Sequence, residues 1–177
     1  TFNGVTFNGS GVIFYFSNGG YLENVKAENC GTIKIYGGNV KISNCFFNSC
    51  SGVEFYGVSD PIAGVVEGCV VSNSGSHGIV VKSGNWVFSD TYSVDSGGWD
   101  WVVEGGSAEL RQCGAQGGAQ GSLNATVGFA YIYGGNYQGR IRGNIVVREA
   151  DIAHVYEIFH DEFIGSDVDT DIWTVVV

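Results

Sequence analysis

One proline in 177 residues, no methionine, and 8 lysines and arginines against 18 aspartates and glutamates are the first features of this chain. Each shortage excludes something. With a net charge of −10 there are too few bases for a face that displaces counterions from nucleic acid. Docking on anionic lipid is disfavoured for the same reason. No apolar run approaches the roughly 20 residues of a membrane span, and no signal peptide opens the chain, so direct membrane insertion is not expected. Methionine is missing even at position 1, which leads to the expectation of a segment cut from a longer or processed chain.

What is present points the other way from disorder. Glycine occurs 29 times and hydrophobic residues make up 44% of the chain, while only 15% is charged. Many glycines among valine, isoleucine, phenylalanine and tyrosine suit short strands joined by tight turns.

The strands repeat. Val5, Val25, Cys45, Cys69, Thr91, Cys113 and Gly135 recur at spacings of 20 to 24 residues. Phe7, Ala27, Phe47, Val71, Ser93, Ala115 and Tyr137 follow two residues later on the same strand face. Phe2, Leu22, Ile42, Val66, Phe88, Leu110 and Ile132 form a column before them. Ile13, Ile33, Val53, Ile79, Trp101, Leu123 and Ile145 form one after, with Tyr15, Ile35, Phe55, Val81, Val103, Ala125 and Val147 two residues further on. Such columns predict an all-β solenoid, a parallel β-helix of about seven to eight coils with 20–24 residues per coil over residues 1–150. Glycine-rich corners (SNGG, YGGN, KSGN, EGGS) supply the turns. The hand is expected to be right, from chain chirality.

This pattern resembles the right-handed parallel β-helix superfamily, which includes pectate lyases, polygalacturonases and viral tailspikes. The resemblance implies a fold; activity has to be sought in particular residues.

Cys45, Cys69 and Cys113 share an inward column and read as small packing residues, while Cys30 and Cys50 sit at equivalent turns and could pair. No ligand spacing for a metal appears, and no cofactor is expected. Lys34 and Glu54 in an outward column (Phe14, Lys34, Glu54, Val80, Val102, Asn124, Val146) are placed for an exposed ion pair.

The first three coils take six residues to cross to the next inward strand, and coils four to seven take eight. The extra residues should swell one corner into a ridge carrying His77, Trp99, Gly121 and Gly143, with Ser76, Gly98, Gln120 and Arg142 beside them and Asp95, Asp100 and Arg140 close by. Trp99, His77, Asp95, Asp100, Gln120, Arg140 and Arg142 are therefore candidate ligand-binding residues for a sugar: an indole face for the pyranose, polar groups for its hydroxyls. The competing reading is that Trp99 caps the core beside Trp101 and the charges are solvated.

SHG at 76–78 and RIR at 140–142 are similar to polygalacturonase motifs, a GHG and a later RIK. The paired aspartates that the family places before its histidine are missing, and three coils separate His77 from Arg140. His77 is expected to be a turn residue, and no catalytic residue is assigned. Asp95, Asp100 and His77 stand as the catalytic set of the alternative reading, a glycoside hydrolase or polysaccharide lyase.

Phe46, Val70 and Tyr92 should form an exposed apolar stripe, a candidate interface with other copies. The tailspike resemblance implies a homotrimer; the loop YGVSDPIAG at 56–64 is the other candidate cover. From Asp151 the glycine corners stop, and residues 151–177 are expected to give one last coil and a transition to a following β-domain. HDEFIGSDVDTDIW is similar to the opening of laminarinase-like jelly rolls. DVDTD alternates carboxylates as a calcium loop does but lacks the glycine and distal glutamate, His154/His160/Asp161 as a zinc group is disfavoured by spacing, and NGS (Asn8) and NAT (Asn124) are glycosylation sequons.

Together these features lead to the expectation of a non-catalytic structural and adhesive segment of a larger extracellular assembly. A viral spike or fibre or a cell-surface protein would carry it, with a glycan or host receptor as partner.

Overall fold

The computed structural model describes residues 1–57 and 63–148. They form an all-β solenoid of about six turns, fewer than the seven to eight expected, and contain no helix. Every strand pairing is parallel and joins one coil to the next.

Each coil contributes three strands. The first face stacks Phe2–Asn3, Gly20–Glu23, Val40–Ser43, Gly64–Glu67 and Asn85–Ser89. The second stacks Thr6–Asn8, Lys26–Glu28, Phe46–Asn48, Val70–Ser72 and Tyr92–Val94. The third stacks Val12–Phe16, Thr32–Gly37, Gly52–Gly57, Ile79–Ser83 and Trp99–Val103. The last coils run through their corners as the long strands Ser107–Gln116, Gly121–Tyr137 and Ile141–Val147.

Alternating side chains point inward and pair in register with their counterparts one coil away, as the column pattern requires. The Phe2 and Phe7 columns are paired throughout as expected. From the second coil onward their inward members are buried, and Phe55, Trp86, Phe88 and Trp101 meet edge to face along the axis.

The third face departs from expectation at both ends. In the first coil Val12 pairs with Ile33 and Phe14 with Ile35, so Ile13 and Tyr15 point outward, each 66% exposed. That corner is one residue shorter than in the second coil, and a one-residue slip exchanges the two faces of a strand. Phe14 is preferred inside because its ring packs edge-on against Phe2 at 5.4 Å and Phe7 at 5.5 Å. In the last coil Leu123 pairs with Ile141, not Ile145; Ile145 and Val147 stack instead on Ala130 and Ile132 of the first face. The outward column accordingly runs Ile13, Lys34, Glu54, Val80, Val102, Asn124 and Arg142.

The corner between the first and second faces is built the same way in every coil. Gly4, Asn24, Asn44, Gly68, Asp90, Gln112 and Gly134 all adopt left-handed backbone, with φ from 47° to 71°. Asparagine and aspartate tolerate this better than most side chains. After four of the seven a thiol or hydroxyl closes the turn by donating to the carbonyl two residues back: Cys45 to Ser43, Cys69 to Glu67, Thr91 to Ser89 and Cys113 to Arg111. Cys30 and Cys50 do the same after the left-handed Asn29 and Ser49 at the next corner. All five cysteines are buried free thiols, so Cys30 and Cys50 are not bonded to each other.

Candidate ligand-binding ridge

The corner between the second and third faces is enlarged in coils four, five and six, where Val71, Ser93 and Ala115 lead over eight residues to Ile79, Trp101 and Leu123. The seventh coil is not widened: Tyr137 reaches Ile141 in four residues. Gly143 therefore pairs with Ala125 and leaves the ridge, while Arg140 joins it through its carbonyl, which accepts the Ser122 N–H at 2.8 Å.

At its base the ridge continues the Cys30–Cys50 column with Ser74, Ser96 and Gly118. Main-chain bonds link the coils there, from Gly75 to Cys50, Gly97 to Ser74 and Ala119 to Ser96. Replacing cysteine by serine and glycine makes this stretch of interior polar. Ser74, Ser93, Ser96 and Ser122 are all buried. The Ser93 and Ser96 hydroxyls lie 3.5 Å apart, and Ser122 donates to the Gln138 carbonyl.

Asp100 closes this polar pocket from within. It is 0% exposed, and its Oδ2 accepts the Gly118 N–H at 3.0 Å from the following coil. Oδ1 has no hydrogen-bond partner among the described residues, and neither has Ser74 Oγ. Burial pushes the Asp100 carboxyl up to about 6, against the opposing pull of Ser96 and of the Gly118 N–H. Asp95 is on the outside, exposed, with its carboxylate against Gly117. Of the two candidate acids, Asp100 is thus enclosed and Asp95 is exposed.

His77 is half-buried, and its Nδ1 accepts the main-chain N–H of Trp99 at 2.9 Å. That bond puts the ring proton on Nε2. The imidazole lies so close to Gly98 that a Cβ there would come within 2.3 Å of Nδ1.

Trp99 is 3% exposed, so its ring offers no open face to a pyranose. It turns onto the outer surface of the third face and buries Val80 and Val102 in a small cluster separate from the main core. Arg142 covers it from the next coils: its Cζ lies 4.9 Å from the ring centroid, and its Nε donates to Asn124 Oδ1 at 3.3 Å. Gly121 is confined in the same place. A Cβ there would stand 2.6 Å from the Trp99 ring and 2.8 Å from Arg140 Cβ. Gln120 and Arg140 are exposed, and the Gln120 N–H is held by the Gly98 carbonyl at 3.0 Å.

Phe46, Val70 and Tyr92 stand in register on the outside of the second face, with Phe46 37% and Tyr92 42% exposed. Tyr92 also lies over Gly114.

Two surface features were not read from the sequence. Tyr15, Tyr36 and Tyr56 stack along the third face, with centroids 5.9 Å and 4.5 Å apart. Burial and the Glu54 carboxylate push the Tyr56 hydroxyl up, and it donates to Glu54 Oε2 at 2.7 Å. The spacings of 21 and 20 residues carried that signal, hidden by the inward placement of Tyr15. Beside them runs an ion ladder: Lys34–Glu54 at 3.9 Å, Glu54–Lys82 at 3.8 Å and Lys82–Glu104 at 2.7 Å. Its first rung is the expected pair.

Among the described residues no three His, Cys, Asp or Glu side chains converge as a metal site, and no helix is long and apolar enough to cross a membrane. Asp60, most of the 56–64 loop, the His154/His160/Asp161 group, DVDTD and the final coil lie outside the described residues. Compared with protein-family models, with curated proteins and with solved structures, the chain matches none.

Proposed function

We propose that this chain is a non-catalytic structural and adhesive segment of a larger extracellular assembly, such as a viral spike or fibre or a cell-surface protein. The ridge of coils four to six would contact glycans, and the Phe46–Val70–Tyr92 stripe would contact other copies, in a trimer if the tailspike resemblance holds. One observation carries this reading: two of the three ridge side chains fit for acid–base work are committed to holding coils together, and the third, Asp95, stands exposed on the outside. His77 spends Nδ1 on the Trp99 N–H, and Asp100, sealed inside, spends Oδ2 on the Gly118 N–H.

The polysaccharide-degrading alternative has one observation in its favour, the Asp100 carboxyl at about 6, a value suited to a general acid. A donor with no exposed surface does not reach a glycosidic oxygen unless the ridge opens.

The test pairs product release from acidic and neutral polysaccharides with direct binding to the same panel, for the natural chain and for Asp95→Asn and Asp100→Asn. Binding without turnover is the expected result. Turnover abolished by Asp100→Asn would make the ridge an active site and end the adhesive reading.

A further inference from the structure

We infer that Asn8 is a self-modifying site: its side chain closes on the Gly9 nitrogen, loses ammonia and leaves aspartate or isoaspartate in the first coil. Water is the only reagent. The inference goes beyond the adhesive reading and does not depend on it.

The dipeptide Asn-Gly occurs three times in the sequence, at 3–4, 8–9 and 18–19. All three lie in the first coil, one at each corner. One coil further on, Asn24, Asn29 and Asn39 themselves take the left-handed positions that Gly4, Gly9 and Gly19 hold in the first. The first coil alone therefore sets an asparagine just before each corner, with a glycine nitrogen behind it.

Ring closure needs an amide carbon open to approach and a main-chain nitrogen that is not already donating. At the first corner neither is free. Gly4 N–H donates to the Glu23 carbonyl at 3.2 Å, and the Asn3 amide is held by Glu23 Oε2 and Asn24 Nδ2, each at 3.2 Å. At the second corner both are free. Asn29, Ser49, Asn73 and Asp95, which follow Gly9 down the column, each donate their N–H to the next coil at 2.8 to 3.1 Å. Gly9 makes no such bond among the described residues. The Asn8 side chain is exposed and has no hydrogen-bond partner among them either. Space is open as well, since no atom lies within 4 Å of where a Gly9 Cβ would stand. The third corner is tighter: Asn18 is exposed, but the Asn39 carbonyl oxygen stands 3.1 Å from the Cβ position of Gly19.

Hydroxide removes the Gly9 N–H proton, and the nitrogen attacks Asn8 Cγ to close a five-membered succinimide. The side-chain nitrogen takes a proton from water and leaves as ammonia, which returns the hydroxide. Water then opens the ring. Breaking the Cγ–N bond gives aspartate. Breaking the bond from nitrogen to the Asn8 main-chain carbonyl carbon gives isoaspartate, with the main chain one carbon longer. Asn8 pairs in register with Glu28, whose carboxylate lies 2.9 Å from Lys26 Nζ. Either product sets a second carboxylate beside that pair, so the first coil gains charge of one sign with age and the strand Thr6–Asn8 is held less firmly. The same amide nitrogen is the acceptor of the NGS sequon, which makes a glycan and deamidation alternative fates of one side chain.

The test is incubation of the unglycosylated full chain in mildly alkaline buffer, folded and in urea, with chymotryptic peptides followed by mass spectrometry. Phe7 and Phe16 separate the three sites. In urea all three should gain one mass unit at similar rates. In the folded chain Asn8 should stay near its urea rate, Asn18 should be slower, and Asn3 should be slowest. The gap between Asn8 and Asn3 should be about tenfold or more, the factor that one protecting hydrogen bond supplies. The Asn8 product should include a form methylated by an isoaspartate methyltransferase. Asn8→Gln, which would have to close a six-membered ring, should abolish the change at that site and leave Asn18 as before, with circular dichroism showing the variant folded. Equal rates at Asn3 and Asn8 in the folded chain would overturn the inference. So would a folded Asn8 that stays intact while the urea sample reacts.

Discussion

The imidazole Nδ1 of His77 accepts the main-chain N–H of Trp99 at 2.9 Å, tying the fourth coil to the fifth at the point where the ridge begins. A ring nitrogen here replaces the carbonyl that a regular parallel ladder would offer. His77→Ala should leave that half-buried N–H unpaired and cost about 1–2 kcal/mol, read as a lower urea midpoint. His77→Asn, whose amide oxygen can take the same bond, should recover much of the loss. Equal stabilities for the natural chain and His77→Ala would show that the bond contributes nothing.

Asp100 gives the fold a pH dependence of defined sign. Its carboxyl is held at about 6 inside the ridge and returns to roughly 3.9 on unfolding, so the folded chain binds the proton more tightly. The stability from this group is complete below about pH 4 and is lost as pH rises through about 6, by up to about 3 kcal/mol. Asp100→Asn should remove that loss. Relative to the natural chain, the variant should gain stability between pH 4.5 and pH 8 in urea titrations. A difference that stays flat over this range would mean the carboxylate is better solvated than its surroundings indicate.

The thiols should be silent in the folded chain. All five are buried and unbonded, each donating to a carbonyl at its own corner, apart from any further contacts. Ellman's reagent should find no fast-reacting group in native protein and five after denaturation. A count of three in denatured, unreduced protein would place a disulfide where the structure has two thiols. Thr91 already fills this role with its hydroxyl at 3.0 Å, so Cys113→Thr in the same column should cost less than about 1 kcal/mol, provided the added methyl is accommodated.

The sequence disclosed most of the fold because each coil repeats the same inward positions, and a repeat supplies its own alignment. It failed where the corner length changed without a marker. Ile13 and Tyr15 looked inward until Phe14 proved the better partner for Phe2 and Phe7, and a choice among aromatic contacts is not visible as spacing. Ile145 looked like a continuation of the third face because eight-residue corners preceded it, yet the chain turned at Ile141. The ridge was legible as an insertion. What its side chains do was not: whether Trp99 faces solvent depends on Val102 of its own strand and on Val80 and Arg142, which come from two others. The thiol-closed corner was readable in hindsight, since asparagine directly precedes Cys30 and Cys45.

The left-handed corner between the first and second faces has a consequence for how such a rod can vary. From Phe2 to Phe7, and at every equivalent step through Ile132 to Tyr137, the chain advances five residues. The corner that follows takes anything from four to eight. One vertical edge therefore works as a spine of constant pitch, while the next tolerates insertion and deletion without shifting the strands on either side. Variation among relatives of this chain would gather along that tolerant edge, where new recognition loops can be tried coil by coil while the spine keeps count.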